Sequence, residues 1–354
     1  MAELLGVGLT HYPPLLGVDP DMSWVLRWTL EDPDIPESAK AVAAWPEPMR
    51  AEWGDDEGLA AAAAHRSELM AGFERVHQAM DDFGPDVVIV FGDDQYENFR
   101  EDLIPPFAVL AYEDMDVHPW SAMKRRRGAN HWGESEDTAF AVPGAPEIGR
   151  YLVTELLAAG FDMPYSYQPL HQEGLPHSFL NALLLLDEDR KGLAWPILPV
   201  SVNCYGRRVV SHRGTLSRFG DKGLAPDPPG PSPARCMDLG GAIADIMLAS
   251  PWRTVLMASS SWSHAFLTDH TWRLYPDHPA DVTLYDALLA GDFGAWRSQL
   301  TPALERAGQQ ELLNWFCLAG AMERCGVTPD WSSYVPTHVF NSNKVFATFP
   351  VVAP

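Results

Sequence analysis

Histidines and acidic residues follow several short apolar runs of the sequence, at the points where predicted strands end. GVGLTHYPPLLG places His11 after the first run, and FGDDQYENF places Asp93, Asp94 and Gln95 after PDVVIV. Ligands of open α/β sheets bind beyond the carboxyl ends of the strands. Neutral imidazole binds transition metals and transfers protons near neutral pH, and carboxylates complete the non-haem iron sites that activate oxygen. The pattern therefore indicates a site for metal or acid/base chemistry.

Two further motifs bring histidines to comparable positions. LHQEGLPHSFLNALLL holds His171 and His177 on a loop that enters an apolar helix, and ASSSWSHAFLTDH holds Ser263 and His264 on a serine-rich turn. No GxSxG elbow surrounds these serines, so a nucleophilic serine is not favoured. Four histidines on three such motifs favour one shared site over four separate structural roles.

The elements that must position these residues follow an α/β pattern. Short apolar runs alternate with longer helical patterns, which predicts one α/β domain with a central sheet flanked by helices. The domain spans residues 1–354, with long loop insertions at about 17–56 and 113–144. The predicted strands are 4–8, 87–91, 107–111, 197–202 and 254–258. The predicted helices are 59–83, 145–159, 178–186, 233–249, 281–290 and 309–325.

The composition restricts the class of partner. A formal net charge of -23 argues against nucleic acid or an anionic membrane surface, since both require clustered Lys and Arg. The one basic run, 124–127, is either a solvated loop or an anchor for an acidic substrate group. No apolar run approaches the roughly 20 residues that span a membrane. The four cysteines include no CxxC pair, so a reducing cytoplasm is the expected location.

Taken in order, these motifs resemble the class III extradiol ring-cleavage dioxygenases, typified by the catalytic subunit of protocatechuate 4,5-dioxygenase. GLTHYPPLLG is similar to the segment with the family's first iron-binding histidine, which maps to His11. PDVVIVFGDDQYENFREDLIPPFAV is similar to the strand, ligand loop and strand of the second motif. HQEGLPHSFLNALLL with LPVSVNCY resembles the segment of the acid/base histidine, which maps to His171. SSSWSHAFL resembles the turn that ends in Ser-His, and PADVTLYDALLAGD resembles the helix whose start carries a glutamate ligand.

The resemblance covers nearly the whole chain and implies a specific chemistry. Fe(II) in that family binds a catechol and activates dioxygen, a histidine assists proton transfer, and the ring is cut beside the diol. A small aromatic substrate and dioxygen are therefore the expected partners, and an aromatic-rich N-terminal region allows a homo-oligomer or a partner subunit. The candidate catalytic residues are His171 and His177. The candidate metal ligands are His11, Asp93, Gln95 and His264, and the candidate substrate-binding residues are Asp94, Ser263 and Trp132.

Two positions depart from the family pattern. The second histidine ligand falls at Gln95, whose neutral amide oxygen is a weaker donor and suits harder ions. The glutamate ligand falls on Pro279, which has as neighbours the substitutes Asp277, His278 and Asp281. Related dihydroxyphenylalanine dioxygenases place a ligand histidine in the motif that matches SSSWSHAF, which favours His264 as a ligand.

Three interpretations remain open. The chain is a dioxygenase with a rearranged site for Fe(II) or another divalent metal, a catalytically inactive partner subunit, or a metal-independent acid/base enzyme. The last two predict that no metal binds tightly, and the partner subunit also predicts a large apolar patch near residues 17–56.

Overall fold

The computed structural model describes residues 2–123, 129–207 and 225–353, so the basic run 124–127 lies outside the described residues. The strands are β1 (Glu3–Leu9), β2 (Val87–Asp93), β3 (Phe107–Leu110), β4 (Met115–Val117), β5 (Phe140–Val142), β6 (Tyr165–Ser166), β7 (Ile197–Val202), β8 (Arg253–Ser259), β9 (Trp331–Val335) and β10 (Lys344–Thr348). The helices are α1 (Trp24–Leu30), α2 (Glu37–Lys40), α3 (Glu47–Trp53), α4 (Leu59–Phe83), α5 (Pro119–Met123), α6 (Pro146–Ala158), α7 (His177–Leu186), α8 (Pro233–Leu248), α9 (His278–Ala290), α10 (Phe293–Arg297), α11 (Thr301–Ala307) and α12 (Leu313–Cys325).

The main sheet of the described residues has eight strands in the order β6-β3-β7-β2-β8-β1-β10-β9. Its centre is parallel: β1 pairs with β8, β8 with β2, and β2 with β7. The strands β10 and β3 run antiparallel to this centre. Because the four parallel strands point the same way, their carboxyl ends meet along one edge, where ligands bind in such sheets.

Both faces of the sheet are covered, as the continuous apolar runs require. Alternate residues of β2 pack on opposite sides: Val88 and Val90 join one core layer, and Ile89 and Phe91 join the other. Helices α4 and α7 cover the first layer, and α6, α8 and α12 cover the second. The predicted α/β sheet flanked by helices is therefore confirmed.

The segments predicted as loop insertions contain short elements. Residues 17–56 include α1, α2 and α3, and residues 113–144 include the small sheet of β4 and β5. The tryptophans of the first segment are partly core residues, since Trp45 and Trp53 are buried and pack edge to face. Strands β9 and β10 had no counterpart among the predicted elements. No helix in the described ranges has both the length and the apolar character to cross a membrane.

Helices α8 and α12 approach closely because glycines line their contact. A Cβ added at Gly240 would lie 1.7 Å from the carbonyl oxygen of Cys317, which is backbone and cannot turn away. A Cβ at Gly320 would lie 2.1 Å from the carbonyl oxygen of Met237. The packing that positions α12 therefore requires glycine at both places.

We expect Gly240→Ala to destabilise the protein by at least about 3 kcal/mol, because the helices must separate. The adjacent substitution Gly241→Ala is the matched control, since its Cβ would meet atoms only at 3.5 Å and beyond. Alanine at that helical position should stabilise by up to about 1 kcal/mol. Urea unfolding of the two variants measures the difference, and equal stabilities would contradict the close packing.

Candidate metal centre

The C-terminal edge of the parallel strands brings together residues that are distant in sequence. His11 follows β1, Asp93 is the last residue of β2, and the turn with His264 follows β8. A fourth residue, Glu311, enters from the 3₁₀ turn Gln310–Leu312 that leads into α12. All four side chains are buried, with exposed fractions of 5% or less. Burial of this many ionisable groups together is costly unless they are paired or bind a cation.

His11, Asp93 and Glu311 have the geometry of a metal site. Their ligand atoms all lie within 4.8 Å of one another. The Nδ1 of His11 is 3.0 Å from the carbonyl oxygen of Ser259, to which an Nδ1–H donates. The lone pair is then on Nε2, which lies 3.6 Å from Oε2 of Glu311. Metal-binding histidines are commonly oriented by such a bond from the opposite ring nitrogen.

The two buried carboxylates of the cluster also favour the binding of a cation. Oε2 of Glu311 is buried without a hydrogen-bond donor, and the Nε2 of His264 lies 3.3 Å from it. Burial raises the pKa of Glu311 well above its usual value, and the nearby Asp93 raises it further. Burial also raises the pKa of Asp93 to about 6 and lowers that of His264 to about 3. A divalent cation among two carboxylates and neutral imidazoles would offset this cost, so the residues present fit a metal.

Gln95 joins the two carboxylates. Its Nε2 donates to Oδ2 of Asp93 at 3.1 Å and to Oε1 of Glu311 at 3.1 Å. The hydroxyl of Tyr205 donates to the same Oε1 of Glu311. Because both acceptors are carboxylate oxygens, the amide nitrogen and not the amide oxygen faces the cluster. The predicted ligand Gln95 therefore reaches the site, in an orientation that holds two carboxylates in place.

His177 lies beside the cluster as one half of an ion pair. Its Nδ1 is 2.8 Å from Oε2 of Glu97, and its ring packs edge to face on His11 at a centroid distance of 5.1 Å. Burial lowers the pKa of His177, but the charge and hydrogen bond of Glu97, with the charges of Asp93 and Glu311, raise it to about 9. His177 is therefore an imidazolium at neutral pH and has a proton to donate.

We expect Glu97→Gln to lower the pKa of His177 from about 9, because the largest of the effects that raise it is removed while burial remains. NMR titration of the His177 imidazole measures the change. Asp102→Asn is the control, since Asp102 pairs with His171 at 2.8 Å and should leave His177 unchanged. An unchanged titration of His177 in Glu97→Gln would refute the ion pair.

The other predicted site residues have separate contacts. His171 pairs with the exposed Asp102, and no hydrogen bond or ion pair of the described residues joins His171 to the cluster. Asp94 caps its own loop by accepting from the backbone of residues 97–99. Ser263 donates to Asp281 through its backbone and hydroxyl. The indole nitrogen of Trp132 donates to the carbonyl of Glu188, and its ring stacks under an arginine.

Glu311 is the site residue that the sequence analysis missed. Pro279, onto which the glutamate ligand mapped, lies in the first turn of α9, and its neighbour Asp277 caps that helix. The sequence did contain a signal: Glu311 and Asn314 are three residues apart and thus share one face of an otherwise apolar segment. Both are buried, and Asn314 donates to Asp93 at 3.3 Å.

A cavity lies near the cluster, and none of His11, Asp93, His264 and Glu311 belongs to its lining. It has a volume of about 470 Å³, within the range of about 300–1,000 Å³ that is common for ligand pockets. Two of its lining residues contact or adjoin Glu311: Tyr205 donates a hydrogen bond to it, and Gln310 precedes it in the chain. Its wall also contains the cationic side chains Arg207 and Arg306, of which Arg207 lies 3.3 Å from Glu305.

Comparisons with known proteins agree with the motifs. No protein-family model matches the chain. Relatives from several bacteria carry the name 2,3-dihydroxyphenylpropionate/2,3-dihydroxicinnamic acid 1,2-dioxygenase. The protein of Burkholderia vietnamiensis is 26% identical over 73% of this chain and 83% of its own length. That of Paraburkholderia xenovorans is 25% identical over 79% and 91%, and that of Cupriavidus necator is 24% identical over 73% and 84%. This similarity over most of the chain supports the ring-cleavage dioxygenase family that the motifs indicate.

Proposed function

We propose that this protein is a metal-dependent, extradiol-type dioxygenase that cleaves the ring of an aromatic diol with an acidic side chain. The observation that carries the proposal is the convergence of His11, Asp93 and Glu311 on one buried position, with Oε2 of Glu311 left without a donor. The relatives' name adds the substrate class, since it denotes a phenyl ring with two adjacent hydroxyls and a carboxylate-bearing side chain.

His11, Asp93 and Glu311 would hold the cation, which the family resemblance implies to be Fe(II). One imidazole and two carboxylates are a donor set that suits divalent first-row metals. Such a metal supplies a Lewis acid for both diol oxygens and a centre for the activation of dioxygen. Gln95 and Tyr205 fix the carboxylate of Glu311 from the side away from its free oxygen.

Two histidines would move the protons. His264 is a neutral imidazole beside Glu311, and we assign it the acceptor role toward a hydroxyl of the substrate. His177 is held as an imidazolium by Glu97, and we assign it the donor role toward the cleaved ring. A neutral acceptor and a charged donor beside one cluster give both halves of acid/base catalysis.

The cavity would hold the remainder of the substrate. Tyr205, which lines the cavity, also donates a hydrogen bond to Glu311, and this link supports a path for the substrate side chain from the cluster into the cavity. Arg306 in the cavity wall would attract a carboxylate on the substrate side chain, whereas the charge of Arg207 is paired with Glu305. We therefore expect 2,3-dihydroxyphenylpropionate to be a better substrate than its uncharged amide.

The test is ring cleavage by protein loaded anaerobically with Fe(II). We expect oxygen uptake and a ring-opened product from 2,3-dihydroxyphenylpropionate, with a higher kcat/KM than for the amide. His11→Ala provides the background rate. Metal-loaded protein that consumes no oxygen above this background with either compound would refute the dioxygenase. Equal kcat/KM values for acid and amide would refute only the acidic side chain.

A further inference from the structure

A buried carboxylate outside the metal cluster connects the two segments that carry His264 and Glu311. Asp281 is fully buried in the first turn of α9. Both of its oxygens accept hydrogen bonds from protein donors, whereas Oε2 of Glu311 has no hydrogen-bond donor. Because both of its oxygens already accept hydrogen bonds from the protein, Asp281 is suited to hold neighbouring segments in place and not to bind a metal.

Three side chains and one backbone amide converge on Asp281. Ser263 donates its backbone N–H at 3.1 Å to Oδ1 and its hydroxyl to Oδ2. The Nε2 of Gln309 donates to Oδ1 at 2.7 Å, and the Nδ2 of Asn343 donates to Oδ2 at 2.7 Å. Burial raises the pKa of Asp281 to about 6, while these hydrogen bonds oppose the rise.

The donors lie next to the site residues in sequence. Ser263 precedes His264, and Gln309 precedes Glu311 by two positions. A backbone bond of 2.8 Å from the N–H of His264 to the carbonyl of Gly308 runs beside the carboxylate. Together these contacts set the separation of the β8 turn from the start of α12, across which the Nε2 of His264 lies 3.3 Å from Glu311.

We propose that Asp281 is a positioning residue that fixes the turn of His264 and the segment of Glu311 relative to each other, and so preorganises the metal site. The proposal rests on the proposed function in taking the cluster as a metal site. A carboxylate suits this role because it accepts from several donors at once. An amide in its place would turn an N–H toward the N–H groups of Gln309 or Asn343, and at least one contact would be lost.

Asp281→Asn tests the proposal without a change of side-chain size. We expect Mn(II), followed by electron paramagnetic resonance, to bind about 10- to 100-fold more weakly, as for other residues that orient metal ligands. We also expect faster amide hydrogen exchange at residues 263–264 and 308–311 in the metal-free protein, with β2 unchanged. Asp286→Asn, at an exposed position of the same helix, is the matched control and should change neither result.

A second variant separates positioning from a general loss of folding. Asp281→Asn combined with Gln309→Glu reverses the direction of one hydrogen bond, because the new amide on α9 then donates to a carboxylate, and should restore part of the Mn(II) affinity. Unchanged exchange at 308–311, or exchange that rises equally throughout the sheet, would overturn the proposal. If the unaltered protein binds no metal, the metal site fails, and the exchange measurement still decides the role of Asp281.

Discussion

Glu311→Gln should weaken metal binding by more than about a hundredfold, beyond the usual effect of residues that only orient ligands. Ring cleavage should fall on the order of a thousandfold or more, because the remaining His11 and Asp93 leave an incomplete site. The amide keeps the size of the side chain and an acceptor for Tyr205 and Gln95, so the fold should persist. Metal titration and oxygen uptake measure the two losses.

Glu323→Gln is the matched control for this substitution. Glu323 lies on α12 itself and pairs with Arg297 near the surface, so its replacement should leave metal binding and activity unchanged. A Glu311→Gln variant that bound metal as tightly as this control would show that Glu311 is not a ligand.

Glu311→Gln should also change how the stability of the metal-free protein depends on pH. The pKa of Glu311 is raised in the folded state, so above the usual 4.5 the folded chain retains a proton that the unfolded chain has lost. Stability should therefore fall as pH rises from 4.5 to the raised pKa, and Glu311→Gln should remove this part of the slope. Metal binding should restore stability, because the cation binds the folded chain and stabilises the ionised carboxylate there.

His264→Gln should separate chemistry from metal binding. The Nε2 of His264 lies near Glu311, but His264 does not belong to the group of three residues whose ligand atoms are mutually within 4.8 Å. We expect kcat to fall by about 100- to 10,000-fold, the usual effect of losing a general acid or base. Metal affinity should fall by only about tenfold, because the variant keeps all three ligands and loses only the contact between His264 and Glu311.

Single-turnover kinetics and metal titration of the same His264→Gln preparation distinguish the two roles. Loss of metal together with activity would make His264 a ligand, as the sequence analysis expected. Full activity with metal bound would remove His264 from the mechanism altogether.

The central fold was predictable because its strands are strongly apolar and their ends are marked by polar motifs. Val87–Asp93 shows both features, and its last residue lies in the cluster. Strand β10 was not predicted, since it begins with Lys344 after a polar loop. Only the structure shows why a lysine is tolerated there: its Nζ donates to the carbonyl of Phe340 and lies 3.7 Å from the ring centroid of Tyr12.

The site was predictable as far as strand ends define it. His11, Asp93, Gln95 and His264 all reach the cluster, because each lies at or just beyond the end of a parallel strand, and these ends share one edge of the sheet. Glu311 escaped prediction because it comes from a 3₁₀ turn before a helix on one face of the sheet, and its approach depends on how closely α12 packs. The distance at which a helix packs depends on its tertiary contacts, and the periodicity of apolar residues in the sequence does not reveal these contacts.

Anaerobic titration of the purified protein with Fe(II), followed by desalting and elemental analysis, tests the central claim most directly. A buried cluster of His11, Asp93 and Glu311 that holds a cation predicts about one equivalent of bound iron, and less than about a tenth of an equivalent in His11→Ala. Less than about a tenth of an equivalent in the unaltered protein, or equal binding by His11→Ala, would contradict it.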